Sequence, residues 1–316
     1  MSNKNYTIYH LHSDLSNGIT NIDSVTKYYE YIEEAKELGM TALGFSEHGC
    51  ILEWVHKKNK IEAAGMKYIH AEEFYITEEL YHYPVVPDEI YKDLQNVSKE
   101  EFQKKINEYL EKNKFQVRDN YHCVLIAKNE KGVEELNKLS SIAFKRDGHF
   151  YYNPRISFKE LVNTSDNILI TTACLGGILA SENKSMQEKF LKFCIDNKDR
   201  CYLEIQHHKD DKQIQYNKYL AKISEKYDIP LIAGTDTHCL NKKHEKGRYI
   251  LQKAKKTSFP NEANFNFLFL SYDELVEAYK IQNALSEDVY LKAIEETNRM
   301  ADRIKTFELD YTKKYP

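Results

Sequence analysis

His10 and His12 stand two residues apart at the end of the apolar, β-rich run Tyr6–Leu11. Residues i and i+2 of a strand point to the same side, so both imidazoles can reach one ion. Other metal-binding side chains fall at the ends of similar runs. Glu47 and His48 come just after Ala42–Phe45, and Glu73 follows Lys67–Ala71. His122 opens His122–Ala127, Cys174 follows Ile168–Thr172, and Asp236 and His238 follow Leu231–Ala233, again two apart. Imidazole, carboxylate and thiolate in one site suit a borderline-soft transition ion. These nine candidate ligands are too many for one ion, so a cluster of two or three is expected. Such ions share a bridging carboxylate, activate water and clamp a phosphoryl group for in-line displacement. Any one of these residues alone reads as a core or surface group; their recurrence at strand ends carries the metal reading. His207 and His208 follow the run Tyr202–Ile205, and His208 is assigned to substrate phosphate. His56, His82, His149 and His244 are read as surface residues and His70 as core.

The elements that position these groups alternate between strand and helix. Between the seven β-rich runs lie amphipathic stretches at Ser24–Leu38, Glu130–Phe144, Gln187–Asp196 and Asp211–Tyr227. Ser24 is a candidate N-cap and Gly39 a stop. This alternation predicts parallel βαβ units, hence a barrel or a doubly wound sheet. In (β/α) barrels functional residues sit at the C-terminal ends of strands. Residues 76–120, rich in Tyr, Glu and Lys with a charged helix near Ser98–Lys112, read as an insertion over one barrel end. The pattern changes from Arg248, so the chain divides into a barrel at 1–247 and a helical extension at 248–316.

Composition narrows the function. The 316 residues are 41% hydrophobic and 30% charged, which describes a globular chain with ample core. A formal net charge of -4 excludes a strongly basic protein built to wrap nucleic acid. No apolar run reaches the roughly 18 residues of a membrane span, and the N-terminus has no signal-peptide core. Six cysteines without a CxxC pair predict reduced thiols and a cytoplasmic setting.

Several stretches resemble a known family. They are His10-Leu-His12-Ser-Asp-Leu-Ser16, Ser46-Glu47-His48-Gly49, Glu73-Phe-Tyr75, Tyr121-His122, Thr172-Ala-Cys174-Leu-Gly-Gly177 and Thr235-Asp236-Thr-His238. They are similar to the PHP (polymerase and histidinol phosphatase) domain, in the version at the N-terminus of the bacterial DNA polymerase III alpha subunit. Residues 122–144 are especially close, and the tail, with Ser271–Leu275 and Phe307-Glu-Leu-Asp310…Lys314-Tyr-Pro316, resembles the segment leading to the polymerase palm. The resemblance implies a distorted seven-stranded (β/α) barrel with a trinuclear centre of zinc, manganese or iron that hydrolyses phosphate esters. In some polymerases this domain is a 3′–5′ exonuclease; in others it only supports the polymerase. The matching positions are His10, His12, His48, Glu73, His122, Cys174, Asp236 and His238. Glu73 is expected to bridge ions, and Asp236 to bind one and orient the attacking water.

Two positions depart from the pattern. The usual Thr-Asp-His is Ser46-Glu47-His48, and an Asp expected seven residues after His12 is Ile19, with Asp23 the nearby carboxylate. No palm follows Pro316, so the chain is not expected to polymerise DNA alone. The expected partners are a DNA 3′ end or single strand, a palm-containing chain or other replisome subunits, and no membrane. A non-catalytic module supporting a polymerase and a small-molecule phosphatase of the histidinol-phosphatase type are the alternatives.

Overall fold

The computed structural model describes residues 4–18, 22–257, 262 and 264–312. Ile19 and the closing Lys314-Tyr-Pro316, both singled out above, lie outside the described residues. The strands are β1 (Ala42–Phe45), β2 (Lys67–Thr77), β3 (Tyr81–His82), β4 (Phe115–Gln116), β5 (Tyr121–Ala127), β6 (Arg155–Ser157), β7 (Ile168–Thr171), β8 (Cys201–Gln206) and β9 (Leu231–Gly234). A seven-stranded sheet runs in the order β1-β2-β5-β7-β8-β9, with β6 added to β2. Its two edges are joined by the N-terminal run. Ile8 bridges Leu43 of β1, and Leu11 bridges Thr237 just beyond β9. The backbone of His12 donates to Thr237 at 2.8 Å and that of Gly44 to Ile8 at 2.8 Å. The sheet thus curls into the expected distorted barrel.

Three expectations change in detail. Tyr6–Leu11 is not a regular strand, because it bonds to one edge of the gap and then to the other, and neither ladder extends. The sheet is not all parallel: β5 runs antiparallel to both β2 and β7. The physical reason is its connection. β2 and β5 are joined through the insertion, in which the two-stranded β3–β4 sheet brackets the helices Asp88–Asp93 and Lys99–Asn113 and a small core of Val86, Leu94 and Ile106. That link returns the chain at the rim where β2 ends, so no crossover to the far end is made. The first residues of β5 therefore share a rim with the last residues of its neighbours. Finally, the first long helix spans Tyr28–Glu37, and Ser24 does not cap it. Asn17 holds residues 23 and 24 in a loop, accepting from both backbone amides, while Glu30 closes the helix start by accepting from the Lys27 amide at 2.8 Å.

Strand alternation sorts the side chains into two layers. Ile69 and Ala71 of β2, Val124 and Ile126 of β5, Leu169 of β7, Tyr202 of β8 and Ile232 of β9 form one apolar cluster. Their in-between neighbours, such as Tyr68, Leu125, Ile170 and Leu203, belong to the larger core under the helices. The first set is the barrel interior. Its floor is closed by Met300, Ala301 and Ile304 from the end of the helix Glu287–Asp302. Lys67 Nζ bonds the Ala301 carbonyl at 2.8 Å, and Arg303 bonds the Tyr202 hydroxyl. Followed two residues further toward the rim, the interior register reads Glu73, His122, Thr171, Glu204 and Gly234. The barrel is apolar below and polar above. Among the described residues, no helix is long and apolar enough to cross a membrane.

Gly234 tests this layering. A Cβ there would sit 2.2 Å from Glu204 Oε1. Gly234→Ala should destabilise the fold by about 1–3 kcal/mol in urea unfolding. Gly18→Ala, where nothing lies within 4 Å, should stay within about 0.5 kcal/mol of wild type.

Candidate metal centre

Glu73, in the middle of β2 rather than after a strand, is the point on which the site converges; it is fully buried. His48 Nδ1 lies 2.7 Å from Glu73 Oε2, and His122 Nδ1 3.0 Å from Oε1. His10 Nε2 and His12 Nε2 each lie 3.4 Å from one of its oxygens. Asp236 faces Glu73 from β9's end: its Oδ1 is 3.3 Å from His10 Nε2, 3.4 Å from His12 Nε2 and 3.1 Å from His238 Nε2. The His12 ring stacks against those of His48 and His238, with centroids 4.2 and 4.5 Å away, and those two lie 5.9 Å from each other. Cys174 Sγ sits 3.5 Å from His122 Nδ1. The structure thus brings together eight of the nine expected ligands.

Glu47 is not among them. Its carboxylate receives Lys57 Nζ at 2.5 Å, the Ser13 amide at 2.9 Å, the Ser16 hydroxyl at 2.5 Å and the Ser13 hydroxyl. Asp23 presents its backbone carbonyl, which binds His238 Nδ1 at 3.1 Å and Arg248 Nε at 2.6 Å. His208 is buried one strand end away, its Nδ1 accepting from the Asn266 amide at 3.2 Å. His149, expected at the surface, is instead buried, held by Asp147 at 2.5 Å and Glu160 at 3.0 Å.

The donor set fits metal ions. Three groups have ligand atoms mutually within 4.8 Å: His12, His48 and His238; His10, His12 and Glu73; His48, Glu73 and His122. They share residues, so the groups are contiguous. Among the described residues, the buried atoms His10 Nε2, His12 Nε2, His48 Nδ1 and both Glu73 oxygens make no well-aligned hydrogen bond, although they face one another at 2.7–3.4 Å. Buried polar atoms left unsatisfied are costly, and convergent ones signal a missing ligand. The backbone agrees. Ala173 and Asp236 adopt left-handed conformations, φ 54° and 45°, at two strand ends of the site. Such strain in non-glycine residues persists where the surroundings impose it and clusters at functional sites.

Glu204 escaped sequence reasoning. Its carboxylate, inside the barrel on β8, accepts from His10 Nδ1 at 2.6 Å, Thr171 Oγ1 at 2.7 Å, Gln206 Nε2 at 2.8 Å and the Tyr9 hydroxyl at 3.0 Å. It directs the other His10 nitrogen toward Glu73 and Asp236, as outer carboxylates direct metal-binding histidines. The available signal was a lone acid in the apolar run Tyr202–Ile205. Tyr75 also escaped; its ring stacks on His48 at 5.8 Å.

Electrostatics match the geometry. Burial alone would lower the His10 pKa, but Glu204, Asp236 and Glu73 outweigh it and hold it well above the usual value. Burial likewise opposes a charged His48, yet Glu73 and Asp23 raise it to about 9. Burial, then His48 and His238, push His12 down to about 3. Burial would raise Glu73 and Asp236, but the surrounding imidazoles hold both well below the carboxylate range. Burial, then Asp236 and Glu73, raise the Cys174 thiol well above its usual value. A cleft of about 1410 Å³ opens at His122 and Cys174 and runs outward past Leu179, Asp211, Tyr219 and Phe265.

A family model described as PHP domain matches residues 9–208. The DNA polymerase III subunit alpha of Aquifex aeolicus is 31% identical over 261 residues, 80% of this chain and 20% of its own length. That of Borreliella burgdorferi is 27% identical over 314 residues, 96% of this chain and 24% of its own. The DNA-directed DNA polymerase of Bacillus phage SPbeta is 24% identical over 230 residues, 62% of this chain and 18% of its own. The chain therefore spans no more than a quarter of the length of these relatives.

The pKa shifts set a stability profile for the metal-free chain. Neutral His12 and His207, at about 3 and about 4, resist protonation, so stability falls as pH drops below the ordinary 6.5. Glu47, held at about 2 by Lys57 against burial, adds a loss below 4.5. His48 stabilises while protonated, and that contribution disappears as pH rises from 6.5 through about 9. Urea unfolding in chelator should show a maximum near pH 6.5, with lower values at pH 4.5 and 9. A steady rise from 6.5 to 9 would refute the charge assignment.

Proposed function

The chain belongs to the PHP domain family, and from that premise we propose that it is a metal-dependent phosphoesterase that trims DNA from the 3′ end. Its relatedness to DNA polymerase III alpha subunits favours a role beside a palm-containing chain or other replisome subunits, in the cytoplasm. The observation that carries the reading is the set of buried, convergent imidazole and carboxylate atoms around Glu73.

Two or three divalent ions of zinc, manganese or iron would supply Lewis acidity and charge stabilisation at the phosphate. His10, His12 and Asp236 would hold one ion, His48 and Glu73 a second, and Glu73, His122 and Cys174 a third, with His238 beside Asp236 to complete the set. Glu73 has one oxygen toward His48 and the other toward His122, which suits a bridge. Asp236, besides holding an ion, would orient the attacking water. His208 accepts at Nδ1, so its neutral ring carries the proton on Nε2 and has a donor to offer a phosphate oxygen.

The cleft narrows the substrate. Glu182, Asp210, Asp211 and Glu262 line it against Lys184 and Lys212. Such walls repel a long polyanion, so charge attraction is confined to the phosphate at the centre. An end leaves fewer phosphates against these walls than an interior bond does, which favours a strand end. A phosphomonoester fits the centre too, and the assay separates them.

Purified protein should contain two or three transition ions by elemental analysis and should shorten a 3′-labelled single strand in a chelator-sensitive way. His12→Ala and Asp236→Asn, folded by circular dichroism, should each lose at least about 100-fold in rate, the upper range for losing even an outer partner of a ligand. Faster turnover of p-nitrophenyl phosphate than of DNA would instead assign a phosphomonoesterase. No hydrolysis at any metal concentration, with stoichiometric binding to a palm-containing chain, would assign a supporting module.

A further inference from the structure

Glu47 sits beside the centre yet has no room for an ion. An ionised carboxylate offers about four lone-pair sites. Four donors fill them: the Lys57 ammonium, the Ser13 amide, and the Ser13 and Ser16 hydroxyls. Glu47, Lys57 and Ser13 are at most 2% exposed and Ser16 5%, so water does not compete. The Lys57 ammonium keeps the carboxylate ionised, and an ionised carboxylate only accepts.

The consequence passes through Ser16. Its one proton goes to Glu47 at 2.5 Å, which leaves its oxygen as acceptor only. That oxygen takes the His48 amide at 3.1 Å and lies 3.1 Å from His12 Nδ1. A nitrogen facing such an oxygen must carry hydrogen. The His12 ring then has its proton on Nδ1 and a lone pair on Nε2, the atom 3.4 Å from both Glu73 and Asp236.

We infer that Glu47 is a positioning residue rather than a metal ligand: the chain Lys57–Glu47–Ser16 fixes the tautomer and orientation of His12, and through the His48 amide it ties two loops of the centre together. This rests on the metal centre proposed above, but not on hydrolysis. It also gives the Ser-Glu-His departure a purpose, since Glu47 joins the His10–Ser16 segment to Lys57 on the helix Trp54–Ala63.

The test uses two readouts, ¹⁵N NMR of the His12 ring in metal-free protein and zinc binding by calorimetry. Wild type should show His12 as a single Nδ1–H tautomer. Ser16→Ala removes the acceptor while leaving Glu47 paired with Lys57; it should mix the tautomers and weaken zinc binding about 10–100-fold. Ser16→Thr, which keeps the hydroxyl, should restore both. The double variant Glu47→Gln with Lys57→Met removes the ion pair without stranding a buried charge, and should shift both readouts in the same direction as Ser16→Ala. Unchanged tautomer and affinity in Ser16→Ala would overturn the inference. So would loss of one zinc from the double variant with the His12 tautomer intact, because Glu47 would then be a direct ligand. A wild type that binds zinc with the expected tautomer but cleaves no DNA would overturn the nuclease reading alone.

Discussion

A carboxylate without solvent inside a barrel must be neutralised by its surroundings, and Glu73 imposes that demand here. Its oxygens are fully buried, and removing one unpaired charge from water costs several kcal/mol. The answer is a shell of four imidazoles from three separate chain segments, at His10 and His12, His48 and His122. Each segment is then constrained in turn. The N-terminal run must cross the gap between β1 and β9 so that its two histidines face Glu73. The β1 end must carry His48 alongside β2, which the isolated bridge between His48 and Glu73 achieves. β5 must enter at the same rim, hence antiparallel, or His122 would lie at the far end of the barrel. Neutralisation by imidazole alone is incomplete, since Asp236 and Glu204 add further negative charge nearby. Divalent cations held there would resolve that excess.

The floor explains why the mouth can hold this geometry. Ligand atoms must stay within a few tenths of an ångström of their positions, and side chains on rigid, well-packed strands do this better than side chains on loops. The interior below Glu73 is filled by Ile69, Ala71, Val124, Ile126, Leu169 and Ile232 and sealed by Met300, Ala301 and Ile304. The C-terminal helix is thus part of the support for the metal centre, although it touches none of the proposed ligands. Glu204 joins the two layers. It stands above Tyr202 on β8, takes the space a side chain at position 234 would fill, and orients His10.

Much of this was legible because two periodicities survive in the sequence. Apolar runs bounded by charged residues gave six of the seven strands of the sheet, all but β6, and histidines, acids and one cysteine at or near their ends gave eight of the converging residues. What escaped depended on long-range pairing. The antiparallel course of β5 follows from the insertion returning at the same rim, and no local pattern encodes strand direction. Glu73 falls inside β2 because the strand runs on to Thr77 to pair with β5 and β6, well past the apolar run that marked it. Ser24 looked like a helix cap until Asn17 claimed its backbone. Glu47 was taken for a ligand by its place next to His48, since sequence cannot show that Lys57, a helix away, would occupy the carboxylate.

The same rim also sets which part of a substrate the protein can attract. The loop after β7 and the start of the helix Asp211–Tyr227 both lie at the end of the barrel where the ligands converge, and acids outnumber lysines along the cleft they border. Screening weakens such surface charges beyond about 10 Å, so they act locally on whatever enters. A phosphate midway along the cleft meets repulsion, while one at its inner end meets the imidazoles and the cations they would hold. On the function proposed above, binding would be strongest for a substrate that brings its reactive phosphate to the inner end and leaves the fewest further phosphates in the cleft. Selectivity for an end over an interior bond would then follow from the charge gradient along the cleft.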